Sequence, residues 1–575
     1  DAGAVGAALS FDPTQPVYDS NNASFGGYWE WTQNDAKFGL IPNPQATRNP
    51  LATLMLKNDR SKSNDVIASA EFDYKVHNFT DLHLHLNLGT EHAYGKQTLD
   101  IPTYAASNYP YGRQGYEDQT KTNNSLNVYA LYTKELARHK FDVMAGYEWQ
   151  HFYRETYNEY KGYANPDGIV DNITYKDPTS EPTKTENYLL SLFGRANYSF
   201  DDRYLFTATF RNDRSSRFSP DNRSAFFPSF AFAWKAANEG FMKNQTLFND
   251  LKLRLGYGTT GQQEISVPNA DYAYIPAYTY NTTGAYYPFG NTYYTTSRPD
   301  AYNPELKWET TYTYNAGVDF SILNSRINGA VDYYFRHTKD LINQITAPAG
   351  MNFRNKIVQN VGTLDNQGVE FSLNTKPVVS KDFTWELNYN VAFNRNKITK
   401  LTVGSGDGYI AEGAGTFQGY VQGSAVGYPA NSFYVYQQVY DNNGRPIEGL
   451  YVDRNGDHQI TAADRYFYHN GTPDVNMGLS SKIIYKSFDL GFTLRASIGN
   501  YMFNGIAVGG SNVSDGGVYS SLGFFTNKPV SAFDTNFGTN STNFLSDYYI
   551  QNASFVRCDN ITLGYSFKKL FGVIN

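Results

Sequence analysis

The chain of 575 residues has a single cysteine, Cys558. One thiol can close no internal disulfide and build no cysteine zinc site. No run of 18 or more apolar residues occurs, which excludes a membrane-spanning helix but not a β-barrel, whose strands carry no such run. Charge is sparse as well: charged residues make up 18%, where a soluble domain has about 25%. The net charge of −7 argues against a nucleic-acid partner, because neutralising phosphates needs a basic surface. No basic start and apolar stretch mark a leader at Asp1, so a mature, trimmed or partial chain is expected. No G-x-S-x-G, P-loop or H-E-x-x-H motif occurs, and no catalytic constellation is found, so an enzyme is not expected.

Aromatics are abundant, at 16% with 49 Tyr and 39 Phe. Strands favour aromatic side chains. Tyrosine, with an apolar ring and a polar tip, suits a membrane–water boundary. Residues 326–336, RINGAVDYYFR, place Ile327, Gly329, Val331, Tyr333 and Phe335 on one parity and Asn328, Ala330, Asp332, Tyr334 and Arg336 on the other. Alternate residues of a strand face opposite sides, so one side is apolar and the other wet. About 15 segments share this pattern: 66–76, 82–88, 125–133, 141–150, 189–200, 203–211, 226–235, 251–258, 312–320, 326–336, 368–375, 385–394, 478–485, 488–498 and 555–567. Several reach the roughly 9–11 residues that cross a bilayer when tilted.

The connections alternate short and long. The long ones are 89–124, 151–188, 212–225, 259–311, 337–367, 395–477 and 499–554. All seven fall on one end of an up-and-down meander. Outer-membrane barrels keep that asymmetry, with short periplasmic turns and long extracellular loops. A soluble sandwich or propeller, the competing fold, has no reason to keep it. The polar parity holds Arg195, Arg211, Lys252, Arg254, Glu370, Glu386 and Arg495, which suits a hydrated lumen. The expected fold is therefore all-β, a large antiparallel transmembrane up-and-down β-barrel over 66–575, with 1–65 mostly an extracellular loop. Strand 66–76 runs down from the outside, so an upward strand is expected before it and the chain reads as the middle of a larger barrel.

The stretches FRNDRSSRFSPDNRSAFFPSFAFAWKAANEGFM (210–242), LKLRLGYGTTGQQEI (251–265), NPELKWETTYTYNAGVDFSI (303–322), VGTLDNQGVEFSLN (361–374) and FVRCDNITLGYSFKK (555–569) resemble SusC-like (RagA-like) TonB-dependent outer-membrane transporters of Bacteroidetes. The resemblance runs from about residue 60 to 570. It implies a barrel of about 22 strands, a plug domain inside it and a segment pulled by the TonB complex. It also implies a SusD-like surface lipoprotein lid, with dimers of such pairs. Oligosaccharide is the cargo such a resemblance favours, and peptide is the alternative. No plug is present in this sequence. A surface adhesin or structural barrel, or a passive porin, are the competing readings.

Three features are candidate sites. In 453–464, DRNGDHQITAAD, Asp453, Asn455 and Asp457 hold positions 1, 3 and 5 of an EF-hand-like loop, with Gln459 at 7 and Asp464 at 12. Hard Ca²⁺ takes such oxygen ligands. His458 stands where position 6 usually has glycine, and Gly456 is expected to take the turn instead; an Asx-rich turn without metal is the plainer reading. In 271–302, nine tyrosines crowd one loop, among them Tyr272, Tyr274, Tyr278, Tyr280, Tyr286, Tyr287, Tyr293 and Tyr294. Their rings suit sugar faces and their hydroxyls sugar hydroxyls, or they pack against the lid. His83, His85 and His92 lack a third ligand at fixed spacing, so no metal is expected there. The N-x-S/T triplets at Asn197 and Asn560 lie within strands and read as chance.

Overall fold

The computed structural model describes residues 3–19, 23–162, 182–265, 270–279, 286–347, 356–402, 408–416, 419–510, 519–520, 523–535, 537–538 and 545–567. One antiparallel sheet of 15 strands forms the wall, each strand paired with the next in sequence. They are β1 (Asn58–Lys75), β2 (Leu82–Ile101), β3 (Arg113–Leu136), β4 (His139–Lys161), β5 (Thr183–Phe200), β6 (Tyr204–Ser215), β7 (Ser224–Lys235), β8 (Phe248–Gln262), β9 (Glu309–Ile322), β10 (Ile327–Lys339), β11 (Gly362–Val379), β12 (Phe383–Leu401), β13 (Val475–Tyr485), β14 (Phe488–Ile498) and β15 (Phe555–Tyr565). Each of the 15 alternating segments of the sequence falls on one of these strands.

Tight turns close the short end. Ala137, Asp201, Asp202, Leu323, Asn324, Ser325 and Lys486 there take left-handed backbone, the conformation that lets a hairpin turn match the strands' twist. The register carries one parity unbroken across the wall. Leu255 faces Ala316, which faces Tyr333, then Val369, then Phe393, then Val475. The opposite parity runs Arg254, Gly317, Asp332, Glu370. A one-residue slip anywhere would exchange the two faces.

The apolar parity is exposed: Leu192 is 62% accessible, Leu255 57% and Leu563 77%. The buried apolar clusters lie instead among the long connections. Phe218, Leu306 and Trp308 form one, and Val421, Phe433, Val435 and Leu545 another. An apolar exterior, a polar opposite face and cores confined to one end are what a lipid-facing wall requires and a soluble sandwich forbids.

The wall strands run past their alternating segments. β2 continues to Ile101 and β3 starts at Arg113, so most of 89–124 is strand and only 102–112 connects. Above the membrane both faces meet water, so the ladder continues without alternation. The 337–367 connection holds a hairpin of Ile342–Thr346 with Lys356–Asn360. The 395–477 connection holds a four-stranded sheet of Tyr409–Thr416, Gly419–Ala425, Ser432–Val435 and Tyr466–Asn470. Residues 3–57 include a helix, Pro50–Met55, N-capped by the buried Asn49 side chain. This segment meets the 499–554 connection: Asn527 N–H donates to Ser10 O at 3.0 Å, and Trp31 lies 5.9 Å from Phe525.

Candidate transport site

The polar face of the wall is built by cross-strand ion pairing. Gly317 sits opposite Arg254 on β8 and opposite Asp332 on β10. Because Gly317 has no side chain, the Arg254 guanidinium can lie across β9. It donates from Nε and Nη2 to Asp319 at 2.9 and 2.7 Å, and from Nη2 to Asp332 at 2.9 Å. A Cβ on Gly317 would stand 2.8 Å from that Nη2. A second node joins β4, β5 and β6: Arg211 donates to Asp213 at 2.6 Å, Glu148 at 2.8 Å and Ser191 Oγ at 2.6 Å. Lys376 pairs with Glu386 at 3.0 Å. Arg211, Arg254 and Glu386 were legible as polar-face residues. Asp332 was legible on the wet parity of its strand, and Asp213 lies two residues from Arg211; Asp319 and Glu148 were not singled out, because only register brings them to these arginines.

At the mouth, Arg217 fastens the tyrosine-rich connection. It donates to Asp271 at 2.6 Å and to Glu264 at 2.9 Å. Asn187 donates to Asp271 at 3.3 Å, and the Tyr272 hydroxyl accepts from Glu186 N–H at 3.2 Å. Tyr272 is thus an anchor, and Tyr274 is half-buried. Tyr278 pairs with Pro299. Tyr286–Phe289 and Thr292–Thr295 form a hairpin that stands clear of the protein, with Tyr293 71% and Phe289 70% accessible and Tyr286, Tyr287 and Tyr294 also exposed. Nothing in 286–295 carries a charge. Tyr280 lies outside the described residues.

The 453–464 loop closes on its own amides. Asp453 accepts from Gly456 N–H at 2.7 Å and His458 N–H at 2.8 Å. Asn455 accepts from Asp457 N–H at 3.0 Å, and Asp457 from Gln459 N–H at 2.8 Å. Asp464, fully buried, accepts from Thr461 N–H at 2.8 Å and Arg454 N–H at 2.9 Å. Those amides, Thr461 first, hold its carboxyl below the usual range. Gly456 takes a left-handed turn (φ 75°), and His458 (φ 62°) takes one as well. His458 therefore adopts the turn that position 6 of such a loop demands, without glycine's freedom. The loop's three carboxylates do not gather at ligand distance. Among the described residues one group of three does, Asp73 with His83 and His85; His92 lies apart, bonded to Thr122 at 3.0 Å.

The loop rests on a buried junction between two long connections. Tyr436 N–H donates to Leu545 O at 2.7 Å, and Gln438 N–H to Asp547 at 3.0 Å. The Tyr466 hydroxyl donates to Asp547 at 2.7 Å. Burial raises the Asp547 carboxyl above its ordinary value, and burial together with the Asp547 contact raises the Tyr466 hydroxyl more strongly.

The family described as TonB dependent receptor-like, beta-barrel matches residues 10–411. The chain belongs to that family. This receptor barrel is 48% identical to TonB-dependent receptor SusC of Bacteroides thetaiotaomicron over 580 residues, covering 99% of this chain and 57% of SusC. It is 31% identical to TonB-dependent receptor P3 of Formosa agariphila, over 80% of this chain and 47% of that one. The chain thus spans about half the length of the curated relatives it matches. The RagAB peptide importer in its closed-closed state shares the fold, with a TM-score of 0.76 at 23% identity over 98% of this chain and 61% of that chain. The barrel is SusC-like, its place is the outer membrane, and its relatives are receptors rather than enzymes.

Proposed function

We propose that this barrel is the channel of a TonB-dependent importer that brings oligosaccharide across the outer membrane, working under a SusD-like lipoprotein lid and powered by the TonB complex through parts of the protein outside this chain. Dimers of barrel–lid pairs belong to the same proposal. The observation that carries it is the two-faced wall, with side chains for lipid outside and a hydrated polar lining within. The nodes of that lining offset Arg211 and Arg254 with carboxylates, which suits an uncharged, hydroxyl-rich cargo. The uncharged tyrosine hairpin at 286–295 offers rings and hydroxyls of the kind that hold sugars or a lid. Peptide is the second reading, favoured by the shared fold with an importer of peptides.

The test is uptake by whole cells. Labelled oligosaccharides and labelled peptides are offered to wild-type and deletion strains, with and without a protonophore. Accumulation of oligosaccharide that needs both the gene and the proton-motive force is expected, with a lipoprotein co-purifying. Energy-independent flux would point to a porin, and unchanged uptake of every substrate to an adhesin or structural barrel.

We further propose that the 453–464 loop takes one Ca²⁺ through Asp453, Asn455, Asp457, the Gln459 carbonyl and Asp464, pinning the 395–477 connection. Spacing and the left-handed turn at His458 support this. Binding requires Asp453, Asn455, Asp457 and Asp464 to exchange amide contacts for the ion or share them with it. Millimolar Ca²⁺ should raise the melting temperature of the wild type and leave Asp453→Asn unmoved; equal melting with calcium or with chelator would remove the proposal.

A further inference from the structure

His83 and His85 share one parity of β2, and the sequence offers no third ligand at a fixed spacing from them. The fold supplies one from the neighbouring strand. β1 and β2 pair so that Asp73 stands opposite His85, on the lumen parity. Asp73 Oδ1 lies 3.0 Å from His83 Nδ1, and its Oδ2 lies 3.1 Å from His85 Nδ1. The two rings are nearly parallel, 18° apart in plane and 6.0 Å between centroids, and His85 is stacked on Tyr129 at 4.5 Å. That stacking fixes the ring's direction.

The two histidines differ in a telling way. His83 makes an aligned hydrogen bond with Asp73. His85 has both ring nitrogens shut off from solvent and, among the described residues, neither makes a hydrogen bond, although Nδ1 faces a carboxylate oxygen at 3.1 Å. Leaving a buried polar atom without a partner costs about 1–3 kcal/mol. A cation shared by the nitrogens and the carboxylate would remove that cost. Ligand atoms about 2.0–2.2 Å from a tetrahedral zinc stand about 3.3–3.5 Å from one another; the two histidine–carboxylate separations are within a few tenths of an ångström of this, and the ligand atoms of all three residues lie within 4.8 Å of one another.

We propose that Asp73, His83 and His85 bind one divalent transition ion of the zinc class on the lumen wall, beside the short turn at 76–81. Imidazole nitrogens suit zinc, copper and nickel and do not suit calcium, so this site and the 453–464 loop select different ions. The ion clasps β1 to β2 and keeps a fourth position for water or for a donor entering the lumen. Lys75, opposite His83, opposes a cation, and Glu71, two residues from Asp73 on the same face, offsets it.

The receptor complex, purified from outer membranes without a polyhistidine tag and stripped by chelator, is titrated with Zn²⁺. One ion per barrel is expected. His85→Gln and Asp73→Asn should each weaken binding tenfold or more, and His92→Gln should not. Co²⁺ should give the visible absorption bands of a low-symmetry site. Because either variant could perturb assembly, unmodified protein is also treated with diethylpyrocarbonate, with and without Zn²⁺. Protection of the more exposed His83, and not of His92, is expected. Absence of saturable zinc uptake, equal uptake by the variants, or absence of that protection overturns the proposal.

Discussion

Two residues pay for their positions in ways that can be measured. His458 holds a left-handed φ of 62° at the sixth place of the 453–464 loop. A side chain in that conformation costs about 1–2 kcal/mol relative to glycine, less the entropy glycine gains on unfolding. His458→Gly should therefore stabilise the loop by roughly 0.5–1 kcal/mol, seen as slower proteolysis within 395–477; faster cleavage would show that the imidazole makes a contact worth more than the strain. Glu30 is the other. It accepts from Asn49 N–H at 3.1 Å, and its second oxygen is buried without a hydrogen-bond partner among the described residues. Burial, only partly offset by that amide and by Arg48, pushes its carboxyl up to about 7. A raised carboxyl pKa means the fold favours the neutral acid. The stabilisation is complete below the ordinary value near 4.5 and is lost as pH climbs through about 7. The difference is on the order of 3 kcal/mol. Glu30→Gln keeps the acceptor and cannot ionise, so melting curves of mutant and wild type should coincide near pH 4.5 and separate by pH 8, with the mutant the more stable. A constant gap at every pH would contradict this.

At the level of the strand, the alternating pattern was readable only where two environments differ. In β3, Leu126, Val128 and Ala130 face lipid while Asn127 and Tyr129 face the lumen, and that half was visible in the sequence. The other half, from Gln114 to Asn124, has water on both faces, so the same ladder left no period. Its 24 residues span about 80 Å, against the 9–11 residues or so that a bilayer needs. Cross-strand pairs hold this upper part, such as Lys121 with Glu91 at 3.1 Å and Lys96 over the Tyr116 ring at 4.1 Å. Exposed pairs of this kind contribute about 0–1 kcal/mol each, so the backbone ladder carries most of it. Register explains the other omission. Asp73 and Asp332 become site residues only once a partner strand is aligned, and a single sequence does not state alignment. Gly317 shows how tightly the aligned face is packed. Gly317→Val should drive a side chain into the Arg254–Asp332 contact and cost about 1–3 kcal/mol, measured as a lowered temperature for loss of heat-modifiable mobility on gels. Gly256→Val, near an open position where the nearest neighbour to a Cβ is Asn315 Cβ at 3.8 Å, should cost much less.

For the whole molecule, what matters is that the exposed apolar parity is continuous from β1 to β15, while among the described residues the buried cores form where connections cluster. Phe72 faces Leu86, Leu86 faces Val128 and Val128 faces Tyr147 at one side of the wall. Leu494 and Ala496 continue the parity at the other, facing Cys558 and Val556. Such a surface is stable only in hydrocarbon, and the same continuity makes the two faces respond oppositely to charge. Leu255→Arg places a guanidinium on the lipid side near mid-strand, at a cost of about 2–4 kcal/mol. Gly256→Arg, one residue on, points into the lumen, where water and the Arg254 neighbourhood receive it at a cost set by local repulsion alone. Refolding into lipid vesicles should therefore fail or weaken for the first substitution and proceed for the second. Equal behaviour of the pair would mean that both faces of the wall meet the same medium, and then neither a lipid exterior nor an aqueous path through the barrel could stand.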